Sequence, residues 1–129
     1  MSTFKLQYLH EIHQEHRIWI KELEFAEDEL SIFTRRLEEV VTKNTKIDVL
    51  SKAERFQNQL TRHQEVIDQL KQDVQKAEHK IVEMAESNTV APDRKKTNLS
   101  KDLVQRMEMF TSLWSELKAH FILYLTQVI

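Results

Sequence analysis

From Val49 to Met84 the chain places an apolar or small residue, or one histidine, at alternating intervals of four and three: Val49, Ala53, Phe56, Leu60, His63, Ile67, Leu70, Val74, Ala77, Ile81 and Met84. That spacing gathers the side chains on one face of an α-helix, whereas a strand repeats every two residues. Sustained over this length, it predicts a long amphipathic helix packed along a narrow seam against other helices. A second seam precedes it through Ile12, His16, Trp19, Leu23, Ala26, Leu30, Phe33, Leu37 and Val40. The two seams therefore predict helices over about 3–43 and 46–87.

Between them, Asn44 suits the left-handed position that ends a helix, and Thr45 with Asp48 three residues on suits a capping box for the next. The segment 87–98, which concentrates Ser, Thr and Asn and holds Pro92, breaks the period and reads as a loop over 88–98. A third helix over about 99–128 is expected to bury Leu103, Phe110, Trp114, Leu117, Phe121, Tyr124 and Val128. The chain has no glycine and one proline, which removes the residues that tight hairpins, bulges and phosphate-cradling loops rely on. We expect an all-α fold: one domain over 1–129, an antiparallel up-down-up three-helix bundle with coiled-coil-like packing, two long helices and a shorter third.

The net charge of −2 supplies no overall field that would favour nucleic acid or an anionic membrane. A short basic run, Arg94, Lys95 and Lys96, lacks the interleaved aromatics of a nucleic-acid surface. No cysteine is present, which excludes disulfides, thiolate metal sites and a cysteine nucleophile. The opening residues are polar and histidine-rich, without the apolar core of a signal peptide. No apolar stretch approaches the roughly 20 residues of a bilayer span. We expect a cytoplasmic protein with neither nucleic acid nor membrane as partner.

At 1.5 Å per residue the long helices should each run about 60 Å and the third only about 45 Å. If the third starts level with the loop end, it stops short of the Asn44 turn. Phe33, Leu37, Val40, Val49 and Phe56 are then left partly uncovered, beside a C-terminal segment, 121–129, that is apolar nearly all round. Apolar surface of this kind marks an interface, and a second copy of the chain is the simplest cover. Phe33, Leu37, Val40, Phe121, Leu125 and Val128 are the expected homodimer interface.

Six histidines are present. His10, His13 and His16 are spaced to lie side by side on one helix face, a pattern that imidazole-binding metals accept. Read as structure alone, His10 and His13 are solvated, and His16 is satisfied by a nearby carboxylate or water. No acid or histidine stands out at the level of His16. Counting along the hairpin places His63 level with Glu27 on the first helix and His120 on the third, with Glu116 one turn from His120. Two histidines and two glutamates are the ligand types of hemerythrin-like and ferritin-like sites, so His63, His120, Glu27 and Glu116 form the candidate set for a divalent metal. The alternative role for His63 is a polar seam residue that sets helix register. No hydrolytic triad, nucleophile elbow or P-loop is present, and no other cofactor is called for. The expected function is a non-enzymatic interaction or scaffold protein acting as a homodimer, with a metal-binding bundle built around His63 as the alternative.

Overall fold

The computed structural model describes the backbone of residues 3–87 and 94–128, and the side chains of all of these except 4 and 94–100. Three helices make up the described chain: α1 (Thr3–Lys43), α2 (Ile47–Glu86) and α3 (Arg94–Val128). The polar residues of 94–98, expected in the loop, belong to the start of α3. Thr and Asn lower helix propensity by only fractions of a kcal/mol, too little to stop a helix that tertiary packing supports.

Partner residues give the directions of the helices. His16 meets Glu78, Glu27 meets Lys71, and Lys5 meets Ser87, so residue numbers fall along α2 as they rise along α1. Asp73 meets Arg106, and the Val49 carbonyl accepts from Tyr124, so α3 runs antiparallel to α2. The fold is an up-down-up three-helix bundle.

The ends of the helices differ from expectation in chemistry more than in place. Among the described residues no non-glycine residue has a positive φ, so Asn44 is not left-handed. Its side-chain amide instead donates to the Val40 carbonyl at 2.9 Å, and Thr42 donates to Glu38 O at 2.7 Å. The Val40 carbonyl, in the last turn, thereby gains a partner without a strained residue, while the Thr42 bond is made back along the helix. The N-cap of α2 is Lys46, not Thr45, and no side chain caps it. Asp48 contributes through its charge in the first turn, where the helix dipole favours an anion.

The main core runs from Trp19, Val74 and Leu103 to Val40, Ala53 and Tyr124. A smaller cluster, Leu9, Ile81 and Met84, with Tyr8, Ile12 and Ala85 packed on it, fills the opposite end of the hairpin.

The register of α3 covers part of the tip expected to be bare, burying Leu37 and Val40 and leaving Phe33, Val49 and Phe56 partly buried. Tyr124 donates to Val49 O at 2.8 Å, Phe121 packs on Phe33 and Phe56 at centroid distances of 4.9 and 5.2 Å, and Phe56 packs on Tyr124. The third helix therefore ends at the Asn44 turn. Leu37, Val40 and Phe121 are buried, and Phe33, Leu125 and Val128 are partly buried against the same core. These six residues, expected to line a dimer interface, are used within the chain.

Candidate functional site

His63 lies in the α2 seam and projects toward α3. Its ring packs on Phe110 at 5.9 Å and on Trp114 at 5.4 Å. Among the described residues its Nδ1 is buried with no hydrogen-bond partner. Burial, and next the charge of Arg62, hold its pKa below the free-imidazole value of 6.5. An imidazole packed among rings and kept neutral is a polar inclusion in an apolar seam.

The expected metal set does not assemble around it. Glu27 accepts from Lys71 Nζ at 2.7 Å and from Gln64 at 3.0 Å. The Lys71 bond, working against partial burial and helped by Gln64, lowers the Glu27 pKa. Glu116 and His120 point away from the core and are exposed. Among the described residues no group of three or more His, Cys, Asp or Glu side chains is arranged to hold a metal ion.

A sharper constellation joins α1 to α2. Both Nδ1 atoms of His13 and His16 meet the carboxylate of Glu78, His13 at Oε1 and His16 at Oε2, the latter at 2.7 Å. His16 is 2 % exposed and packs on Trp19 at a centroid distance of 5.5 Å, while its Nε2 is buried without a partner among the described residues. A carboxylate thus satisfies Nδ1 of His16, as its reading as a structural residue expects, but the acid is Glu78, which does not stand out at that level in the sequence, and His13, expected to be solvated, shares it. Glu78 escaped notice because it stands one position outside the α2 seam, where a glutamate resembles any solvated charge. Pairing the helices about the Asn44 turn brings 78 level with about 14, and that count is the signal that would have found it.

Elsewhere the helices are tied by charge pairs. Arg106 donates to Asp73 at 2.7 Å between α3 and α2. Burial raises the Asp73 pKa, but bonds from Arg106 and Gln69 outweigh it and the net shift is downward. Glu29 on α1 accepts from Trp114 Nε1 at 3.2 Å and from Lys118 at 3.2 Å, with Lys118 lying over the Trp114 ring.

Exposed apolar residues occur on all three helices, among them Val41, Ile47, Ile122 and Leu123 toward the Asn44 turn. One apolar feature is a groove of about 730 Å³ between α2 and α3, lined by His63, Val66, Leu70, Met109, Phe110 and Leu113. The charges on its rim are matched locally, Arg62 with Glu65 and Arg106 with Asp102 and Asp73, so the groove offers no unbalanced charge to a ligand. Another is a stripe on α1: Ile18, Phe25 and Ile32, at intervals of seven, are 56, 64 and 48 % exposed. Among the described residues no helix is long and apolar enough to cross a membrane.

No protein-family model, characterised protein or solved structure matches this chain.

The unpaired nitrogen of His63 carries a prediction. Replacing the ring with Phe keeps the contacts to Phe110 and Trp114 and removes an unsatisfied buried polar atom, a group that costs about 1–3 kcal/mol when left unpaired. His63→Phe should therefore raise unfolding stability at pH 7 by about 1 kcal/mol in urea titration. Because the folded-state pKa lies below 6.5, the unfolded chain takes up a proton more readily than the folded one below that pH. Stability assignable to this group is present above pH 6.5 and is lost as pH falls through the folded pKa. The gap between variant and native should widen on acidification, and a gap that is flat or narrows below pH 6.5 would count against the packing described.

Proposed function

We propose that this chain is a non-enzymatic, cytoplasmic interaction protein, a bundle with coiled-coil-type seams that works as a homodimer. The observation that carries the reading is the α1 stripe. Ile18, Phe25 and Ile32 repeat at the heptad interval on the outward face, where single exposed apolar residues are common but an ordered row is not. A row at that spacing is what one helix presents to another. The buried tip residues no longer supply the interface, so the stripe takes their place in the argument. The non-enzymatic part draws support from the histidines that meet other helices: His13 and His16 are tied to Glu78, and His63 serves packing.

Light scattering across the micromolar range tests the reading. The native protein should show a mass rising from 15.5 kDa toward twice that value, because a surface this narrow supports a reversible dimer. Phe25→Glu should hold the mass at that of one chain, with helical circular dichroism unchanged. A native mass that stays at one chain throughout the range would overturn the proposal.

A further inference from the structure

The α1 stripe also carries an orientation, and this inference rests on the homodimer proposed above. At the same heptad position it is bounded by Glu11 and Glu39, both exposed. Ile18 and Ile32 stand about 21 Å apart along the helix, with Phe25 midway. Residues three and four away from each stripe member form its flanks. Toward the start these include Glu15, Lys21 and Glu22, and toward the end Asp28, Arg35 and Arg36. The first portion is acidic on balance, and the basic pair Arg35 and Arg36 stands at the far end, with Asp28 and Glu29 between. Such a surface complements itself when one copy is turned end for end.

We propose that two copies dock α1 against α1 antiparallel, with Phe25 on the twofold axis and Ile18 of one copy packed on Ile32 of the other. This register gives each of the three stripe layers an apolar pair, whereas sliding by one heptad sets Glu11 against Ile32. It brings Glu15 beside Arg36 of the partner subunit and Lys21 beside Asp28 of the partner subunit, each contact occurring twice by symmetry. The local partner of Arg36 is Glu39 at 3.5 Å, an exposed pair whose exchange costs little. Two contacts join like charges: Glu22 with Glu29 of the partner subunit and, beyond the apolar layers, Glu11 with Glu39 of the partner subunit. The Glu29 carboxylate is already matched by Lys118 and Trp114 within its own chain. A parallel, in-register pairing would instead set Asp28 beside Glu29 and Arg35 beside Arg36 across the interface. Its flanks then repel at these two levels and attract only where Lys21 meets Glu22, whereas the antiparallel flanks attract at two levels and repel at one, which favours the antiparallel form.

The absence of cysteine in the chain makes the orientation directly measurable. Ile18→Cys and Ile32→Cys are made as separate proteins and oxidised alone and as an equimolar mixture. Antiparallel docking gives a covalent dimer in the mixture alone, and peptide mapping should show residue 18 joined to residue 32. In a second measurement, Arg36→Glu should weaken dimerisation roughly tenfold, and Glu15→Arg in the same chain should restore it. Efficient crosslinking of either single variant with itself would overturn the antiparallel arrangement while leaving the homodimer standing. So would a dimer that forms without joining 18 to 32 in the mixture. A native mass of one chain at every concentration removes the homodimer and this inference together.

Discussion

Phe121→Ala should lower the stability of the bundle by about 3–5 kcal/mol, the usual loss for a fully buried phenylalanine. For a chain of this length that corresponds to a fall in melting temperature of about 10–20 °C. Phe121 is 0 % exposed, and its ring touches Phe33 from α1, Phe56 from α2 and Tyr124 from its own helix. Truncation opens a cavity at the point where all three helices meet, and aromatic neighbours on separate rigid helices cannot close it without moving backbone. The prediction also separates two placements of this residue. In the core its loss lowers the unfolding midpoint equally at low and high protein concentration. At a dimer interface, the placement expected from sequence, the loss would depend on concentration. Urea unfolding at two concentrations a hundredfold apart distinguishes them, and a stability change confined to the higher concentration would return Phe121 to the interface.

The reason that residue was misplaced shows where sequence reasoning reached its end. The seams were legible because a spacing of four and three is a property of one helix, and each buried position follows from its neighbours. Leu23, Leu30, Leu60, Ile67 and Leu70 are buried as their spacing requires. The register between helices is another kind of quantity. It depends on where a helix starts and how its connection turns, and polar residues at 94–98 served a helix as readily as a loop. Moving the level of α3 carried its end to the Asn44 turn and buried Leu37, Val40 and Phe121 there. The same error dispersed the metal set, since His63, Glu27, Glu116 and His120 were grouped by level alone. Facing on each helix decides the matter as much as level does: Glu116 and His120 lie outside the α3 seam and are exposed. The outward stripe of Ile18, Phe25 and Ile32 was visible in the sequence at intervals of seven. It ran beside a stronger seam and drew no notice.

Glu78→Ala should cost about 1–3 kcal/mol, the penalty for leaving a buried donor without its acceptor. The loss falls unequally on the two histidines. His13 has a side chain 42 % exposed and can turn to water, whereas that of His16 is 3 % exposed and cannot. With Nε2 already unpaired, His16 would then be buried with neither nitrogen satisfied. Glu78→Gln should fall between native and Ala, since its amide oxygen can accept from one imidazole while its amide nitrogen faces the other with a donor. Replacing the histidine as well gives the decisive comparison. His16→Leu in the Glu78→Ala background removes the orphaned ring from an apolar setting beside Trp19, and should recover a large part of the lost stability. The double-mutant cycle over Glu78 and His16 should therefore show a coupling of about 1 kcal/mol or more. Additive losses from the two substitutions would mean that the carboxylate does not hold His16. The clamp between α1 and α2 would then be a contact without energetic weight, and the polar layer between the two apolar clusters would need another support.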